Sequence, residues 1–121
     1  MALHIIDHVL TDRGSKYAVS GAPCASEADA KTLLKALKRN KKFAKATHNT
    51  WGLLLPSGGV KADDGESGAG NVILRMLERE GAQNHLVVVT RWYGGKHLGG
   101  DRFRHVQSCV RAYLDAVQQG D

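Results

Sequence analysis

The sequence predicts one α+β domain, and three observations lead to that prediction. The chain has 121 residues, near the commonest length of a single domain. Apolar residues make up 42% of the chain and charged residues 24%, a globular balance that excludes intrinsic disorder. Short apolar runs typical of strands alternate along the chain with stretches whose apolar residues recur at helical spacing.

The chain is predicted to begin with a β-hairpin. Residues 3–10 and 17–22 are two short segments with the composition of strands. Asp12 and Gly14 lie between them, and both residue types favour a tight turn. Two antiparallel strands therefore open the fold.

The first helix is predicted over residues 27–39. Ser26 followed by Asp29 is typical of a helix start, because a serine side chain accepts a hydrogen bond from an amide of the first turn. Leu33 and Leu37 then fall on one helical face. That face should pack against the sheet.

The remaining elements are predicted from apolar runs and glycines. Residues 51–55 form the third strand, and a second helix begins after Gly70 and stops at Gly81. Residues 85–90 form a near-continuous apolar run, which predicts a central strand buried on both faces. Asp101 begins the last helix. The order is therefore ββαβαβα, and we expect helices on one face of a mixed sheet.

Positive charge is concentrated in one segment. The formal net charge is +5, and residues 30–62 contain eight Lys or Arg residues and no acidic residue. Lys31, Lys35, Lys38 and Lys42 follow helical spacing and form a basic stripe if the first helix continues that far. Such a face attracts phosphate groups, or alternatively it is a solvated surface that maintains solubility.

Several function classes are disfavoured by the composition. No stretch approaches the roughly 20 apolar residues of a membrane span, and the N-terminal residues lack the pattern of an export signal. Cys24 and Cys109 are isolated, which predicts free thiols in a reducing cytosol. The six histidines are scattered without metal-ligand spacing, and no activated nucleophile is found. We therefore expect a cytoplasmic protein with no membrane association, cofactor, metal or catalytic residue.

The first candidate site is an acidic loop over residues 62–70. Asp63, Asp64 and Glu66 place three carboxylates within four residues, with Gly65 among them. Such carboxylates could hold a hard cation, accept hydrogen bonds from Arg or Lys of a partner, or serve in acid–base chemistry. Alternatively they cap the following helix, whose first amide groups favour negative charge.

The second candidate site is a glycine-rich loop that leaves the central strand and enters the last helix. A strand, a glycine-rich loop and a helix N-terminus together are typical of an anion site, although neither glycine fingerprint of nucleotide binding is present. Alternatively the loop is a packing turn, with Gly94 and Gly95 at positive φ and two aromatic residues in the core. The candidate binding residues are Arg91, Trp92, Tyr93, Gly94, Gly95, Lys96, Gly99, Asp101, Arg102, Arg104 and His105.

Three motifs occur in order along the chain, and together they resemble a known family. They are Ala46-Thr47-His48-Asn49-Thr50-Trp51, then Asp63-Asp64-Gly65-Glu66, then Val87-Val88-Val89-Thr90-Arg91-Trp92-Tyr93-Gly94-Gly95. Over about residues 15–118 the chain resembles the IMPACT family, which adds His48 and Asn49 to the candidate binding residues. It is closer to the eukaryotic IMPACT type than to the bacterial YigZ type, whose Ala-Gly-Gly-Leu-Val-Arg-Ala-Tyr pattern is absent.

The resemblance implies a fold and a cellular role. The fold is a two-layer α/β sandwich similar to the second domain of a small-subunit ribosomal protein, with a left-handed crossover where general rules favour a right-handed one. Residues 1–121 are expected to hold only the shared ancient domain, without the RWD domain of eukaryotic members or the ferredoxin-like domain of YigZ proteins. Full-length eukaryotic relatives restrain the amino-acid-starvation kinase, largely through the RWD domain, so a role near translation and stress response is implied. The shared domain has no established catalytic activity.

Two functions from different classes follow. In the first, the chain is a non-catalytic module linked to translation, and its basic face and residues 91–104 contact RNA, the ribosome or a protein partner. In the alternative, it is a small metal-dependent enzyme that handles phosphate or nucleotides, with the acidic-loop carboxylates holding a divalent ion beside Arg91 and Lys96. The alternative requires the two loops to meet. Self-association through exposed aromatic residues is a third possibility, and the oligomeric state stays open.

Overall fold

Five strands and four helices form the fold of the computed structural model, which describes residues 2–118. All seven predicted elements occur in the predicted order. The sequence patterns did not indicate two additional short ones, a helix over Lys41–Ala44 and a strand over Gly58–Ala62. The elements are β1 His4–Asp12, β2 Ser15–Pro23, α1 Glu27–Leu37, α2 Lys41–Ala44, β3 His48–Leu55, β4 Gly58–Ala62, α3 Ala69–Arg79, β5 His85–Trp92 and α4 Asp101–Gln118.

The strands form one sheet in the order β1-β2-β5-β3-β4. β5 is the central strand, as its apolar run predicted, and it pairs antiparallel with both β2 and β3. The two outer pairs, β1 with β2 and β3 with β4, are antiparallel as well. The prediction of a mixed sheet was therefore wrong. Hairpins join both outer pairs, and each helical connection crosses over one strand before re-entering the sheet.

One face of the sheet packs against the two long helices. Val87 and Val89 of β5 belong to a buried apolar cluster with Ile73 of α3 and Val110 of α4. The sheet and this helical pair are the two layers of the expected sandwich. Cys109 is fully buried in the same cluster.

The other face of the sheet is covered by α1 and α2. Leu86 and Val88 alternate with the residues above along β5, and they cluster with Leu33 of α1 and Phe43 of α2. The expectation of helices on a single face was therefore wrong. The reason is that α1 has its own apolar stripe, which needs a second apolar surface.

The two crossover connections have opposite hands. β2 and β3 are parallel to each other and are connected through α1 and α2, whereas β4 and β5 are parallel and are connected through α3. The first connection moves across the sheet from β2 towards β3, and the second moves back from β4 towards β5, between strands that run in the opposite direction. These two reversals cancel, but the helices of the two connections lie on opposite faces of the sheet, and this gives the connections opposite hands. One crossover is therefore left-handed, as the resemblance implied, against the general preference.

The start and end of α1 decide where the basic residues lie. The Ser26 side chain accepts a hydrogen bond from the Asp29 amide, which confirms the predicted cap. The helix ends at Leu37, and α2 begins separately after Asn40, whose side chain accepts from the Lys42 amide. The first helix does not continue as far as Lys42, so the condition for a continuous basic stripe is not met and the lysines are divided between two helices.

No helix within residues 2–118 is both long and apolar enough to cross a membrane.

The hairpin turn and the glycine-rich loop touch through their backbones. Arg13 and Gly14 have φ of 47° and 85°, which is the two-residue hairpin turn that the Asp and Gly types predicted. A Cβ atom on Gly94 would lie 2.0 Å from the Gly14 carbonyl carbon. Gly94 is thus required by close packing rather than by the positive φ predicted for it, whereas Gly95 has the predicted positive φ of 95°.

We predict that Gly94→Ala destabilises the fold by about 1–3 kcal/mol or more, because a methyl group at this position must displace the hairpin backbone. Chemical denaturation would measure the loss. Gly100→Ala is the matched control, because a Cβ at Gly100 meets no atom within 4 Å. Equal effects of the two substitutions would contradict this packing.

Candidate functional site

The acidic loop and the end of β5 meet in a buried ion pair. Glu66 lies between β4 and α3, and Arg91 lies near the end of β5, with side chains 3% and 5% exposed. The Arg91 Nη1 atom is 3.0 Å from both carboxylate oxygens of Glu66. The two predicted loops are therefore in direct contact, but their central charges neutralise each other.

Two further side chains approach the same carboxylate from the solvent side. Arg102 of α4 places Nη1 3.5 Å from Glu66 Oε2, and His48 of β3 places Nε2 3.7 Å from it. The Arg102 Nε atom donates to the Gly99 carbonyl at 2.8 Å, which fixes the guanidinium plane. Glu66 is thus surrounded by two guanidinium groups and one imidazole.

The hydrogen bonds of His48 define its tautomer. Its Nδ1 atom lies 2.8 Å from the Asp64 carbonyl oxygen, which can only accept. Nδ1 therefore carries hydrogen, and Nε2 is left to face the carboxylate of Glu66.

A cleft of about 440 Å³ opens above the ion pair. Thr47, His97 and Leu98 line it, although sequence reasoning did not select them. His97 and Leu98 lie between the selected Lys96 and Gly99, and Thr47 belongs to the first family motif beside the selected His48, so the loop and the motif were the available signals. The lining residues are Thr47, His48, Gly65, Glu66, Arg91, Tyr93, His97, Leu98, Gly99 and Arg102.

Aromatic rings enclose the Arg91 guanidinium. Its central carbon lies 5.8 Å from the ring centres of both Tyr17 and Tyr93. Burial raises the pKa of Tyr17 to about 12, which the nearby Arg91 charge opposes. The Arg91 Nε atom is buried and has no hydrogen-bond partner in the described part of the chain.

Asp63 acts on helix α3 rather than on a ligand. Its carboxylate accepts from the Gly68 amide at 3.0 Å and from the Gly70 amide at 2.8 Å. The Gly68 hydrogen bond is the main reason why the pKa of Asp63 lies below its usual value, against a smaller effect of burial. The helix-capping interpretation is therefore correct for this carboxylate.

Asp64 holds the acidic loop against β3. Its carboxylate accepts from the Asn49 amide at 2.7 Å, and its own backbone has a φ of 49°. The side chain of Asn49 is buried and lies between the Phe43 carbonyl and the Thr90 hydroxyl. Asn49 therefore joins α2 to the sheet, and Asp64 remains at the surface.

The three acidic-loop carboxylates do not converge on one point. One caps a helix, one bonds a strand and one pairs with Arg91. Residues 2–118 contain no group of three His, Cys, Asp or Glu side chains close enough to hold a metal ion. The contact between the two loops that the metal-dependent alternative required is formed, but the three carboxylates have separate partners.

The glycine-rich loop begins with two aromatic residues that have different environments. Trp92 is half-buried, and its Nε1 donates to the Lys42 carbonyl at 2.9 Å. Tyr93 is 45% exposed, and its amide donates to the Thr47 hydroxyl. The core-filling interpretation is therefore wrong for Tyr93. Lys96 is exposed at the loop tip.

The remaining selected residues join α4 to the hairpin instead of lining the cleft. Asp101 forms ion pairs with Arg13 and with Arg104, which is 69% exposed. His105 Nε2 lies 2.7 Å from the Asp12 carboxylate. The hydrogen bond from Arg13, followed by the one from His105, lowers the pKa of Asp12 to about 2.

Comparison with known proteins agrees with the three sequence motifs. The family profile described as the Impact N-terminal domain matches residues 13–114. The chain belongs to the IMPACT family. It is 40% identical over 120 residues to the Protein IMPACT homolog of Caenorhabditis elegans and 39% identical over 117 residues to Protein IMPACT of Homo sapiens. These matches cover 93% and 90% of this chain, but only 47% and 37% of the two relatives.

Two solved structures share the fold of this IMPACT-family chain. A crystal structure of a hypothetical protein matches with a TM-score of 0.80 at 22% identity, over 94% of this chain and 57% of that one. The structure of Yih1, described as a two-domain translational regulator, matches with a TM-score of 0.56 at 33% identity, over 92% and 45%. The predicted α+β sandwich is confirmed.

We predict that Glu66→Gln costs about 3–5 kcal/mol of folding stability, because it leaves the buried Arg91 charge without a counter-ion. The exposed Glu78→Gln on α3 is the control, with an expected change within about 0.5 kcal/mol. Urea unfolding of both variants would measure the difference. A Glu66→Gln variant as stable as the control would show that the pair does not hold the loops.

We also predict a specific loss of stability in acid. Asp12 and Asp63 have folded-state pKa values below 3.8, so their contribution is full above about pH 4 and is lost as the pH falls towards 2. Thermal unfolding between pH 4 and 2 would show a shallower decline in the double variant Asp12→Asn, Asp63→Asn than in the wild type. An unchanged slope would contradict these two contacts.

Proposed function

We propose that this IMPACT-family domain is a non-catalytic binding module linked to translation regulation, and that it contacts RNA through a basic surface. The observation that supports this most is a set of exposed cations at the end of α1 and in and after α2. None of them forms a salt bridge within residues 2–118. This basic surface consists of Lys35, Lys38, Arg39, Lys41 and Lys45.

The arrangement of charges favours binding of an anionic polymer over the interpretation that the basic residues only maintain solubility. Elsewhere on the domain, several exposed cations are paired, as Lys31 is with Glu27, Lys42 with Asp7 and Arg111 with Asp115. The basic surface instead leaves five neighbouring charges available to phosphates, and each phosphate contact contributes through release of counterions.

The basic surface is continuous with the glycine-rich loop. Trp92 donates to the backbone of α2, and the Thr47 amide donates to the Arg91 carbonyl. These bonds hold the start of the loop against α2, where the exposed Tyr93 lines one groove with Trp92 and Lys42. Cations next to an exposed aromatic ring suit RNA with unpaired bases, because bases stack on such rings.

The link to translation comes from relatives. Yih1 is described as a translational regulator and shares 33% identity with this chain. Because this chain covers only part of Yih1 and of the IMPACT proteins, the transfer is our proposal for the shared domain alone. The partner class that the basic surface fits is RNA of the translation machinery in the cytoplasm. The ribosome is the first candidate within that class.

We predict that the double variant Lys38→Ala, Lys41→Ala weakens RNA binding about tenfold or more at low salt. It should also reduce the slope of log affinity against log salt by about 2, roughly 1 for each lost phosphate contact. Fluorescence anisotropy with a structured RNA or with purified ribosomal subunits would measure both quantities.

The matched control is Arg75→Ala, Arg79→Ala. These exposed arginines lie on α3, against the opposite face of the sheet, so the total charge change is the same. Binding that is insensitive to salt, or equal losses in the two double variants, would refute the RNA-binding surface. Salt-insensitive capture of a ribosomal protein would point to a protein partner instead.

A further inference from the structure

We propose that the cleft above the Glu66–Arg91 pair binds one phosphate monoester group, as carried by a mononucleotide or by the 5′ end of an RNA. This site shares the glycine-rich loop with the proposed RNA surface, but it uses none of the α1 and α2 cations and does not depend on them. The first observation is the charge of the cleft. Two guanidinium groups line it and share one carboxylate, so one positive charge remains uncompensated.

The second observation is the state of Arg102. Its Nε bond to the Gly99 carbonyl holds the guanidinium plane, while its Nη1 contact to Glu66 is long, at 3.5 Å. The Nη2 atom has no hydrogen bond to any residue between 2 and 118. The side chain is 30% exposed and lines the cleft, so a ligand can reach the remaining donors. A positioned guanidinium with free donors suits bidentate binding of phosphate.

The third observation is an unused donor on the buried Arg91. This residue is 4% exposed, it lines the cleft, and its Nε has no partner within residues 2–118. A buried donor without an acceptor costs free energy, and native structures seldom leave one unused. Because this Nε atom is closed to solvent, Arg91 contributes positive charge at the floor of the cleft, and Arg102 supplies the accessible donors for an anion.

The fourth observation concerns the rim of the cleft. The amides of residues 95–100 donate to no other group in the described part of the chain, and the 18-residue helix α4 begins directly after them. The first amides of α4 itself donate to the carbonyls of Leu98, Gly99 and Gly100, so the additional donors for an anion are the free amides of the loop, of which residues 97–99 line the cleft. A phosphate monoester presents three oxygens to such a set, whereas a carboxylate presents two.

The size and walls of the cleft fit more than a bare ion. A volume of about 440 Å³ lies within the usual range for small-molecule sites, roughly 300–1,000 Å³. The rings of His48, Tyr93 and His97 line it and offer stacking surfaces for a base. A nucleoside monophosphate therefore matches both the charged floor and the aromatic walls.

The test is an NMR titration of the ¹⁵N-labelled chain at constant ionic strength with inorganic phosphate, AMP and adenosine. We expect saturable one-site shifts at Leu98 and Gly99 with AMP, weaker ones with phosphate, and none with adenosine. Arg102→Gln should weaken AMP binding about tenfold or more, the effect of losing a charged hydrogen bond. Arg104→Gln is the matched control, because Arg104 is two residues away and does not line the cleft, and it should leave the affinity unchanged.

A second arm identifies the source of the phosphate. A short RNA with a 5′-phosphate is compared with the same RNA bearing a 5′-hydroxyl, each in the background Lys38→Ala, Lys41→Ala. Tighter binding of the phosphorylated RNA than of AMP assigns the cleft to RNA ends, and the reverse assigns it to free nucleotides. The proposal is overturned if no phosphate compound gives saturable shifts, or if the Arg102→Gln and Arg104→Gln variants respond alike. Neither of those results would affect salt-dependent RNA binding by the basic surface.

Discussion

The ion pair between Glu66 and Arg91 is the interaction on which the candidate site depends. Removing both charges from water is costly, and the cost is offset only when the geometry is good and further hydrogen bonds are present. Here one guanidinium nitrogen contacts both carboxylate oxygens, and Arg102 and His48 approach from the open side. Because Arg91 is on the central strand, the pair fixes the acidic loop to the centre of the sheet.

The acidic loop owes its shape to a division of roles among its carboxylates. Asp63 orders the start of α3, and Asp64 attaches the loop to β3. Glu66 is then left to enter the interior at the end of β5. This division explains why a sequence rich in acidic residues gives a cleft with surplus positive charge rather than a cation site. Two of the carboxylates bond backbone amides, and the third is outnumbered by guanidinium groups.

Much of the fold could be predicted because its main elements follow simple periodicities. The apolar run of β5 and the helical spacing of α1 and α4 each gave an element at the right place. The missed elements are short, since α2 has four residues and β4 begins with two glycines at a sheet edge. Neither leaves a periodic pattern. The helices on both faces were also missed, because periodicity shows that a stripe is buried and not which side of a sheet buries it.

The candidate site was predictable as two loops but not as an arrangement of atoms. Asp63, Asp64 and Glu66 are equivalent in the sequence, and only the tertiary structure assigns them different partners. Arg102 and Arg104 are likewise two similar residues in one helical turn, yet only Arg102 lines the cleft. Helical rotation separates them, since a step of two residues turns the side chain to another face.

The central claim is that Glu66 and Arg91 act together to hold the two loops, and a double-mutant cycle tests it most directly. The free energy of unfolding is measured for the wild type, Glu66→Gln, Arg91→Gln and the variant with both changes. The structure predicts that the double variant loses less stability than the sum of the two single losses, with a coupling energy of about 1–3 kcal/mol. Losses that add to within about 0.5 kcal/mol would contradict the claim.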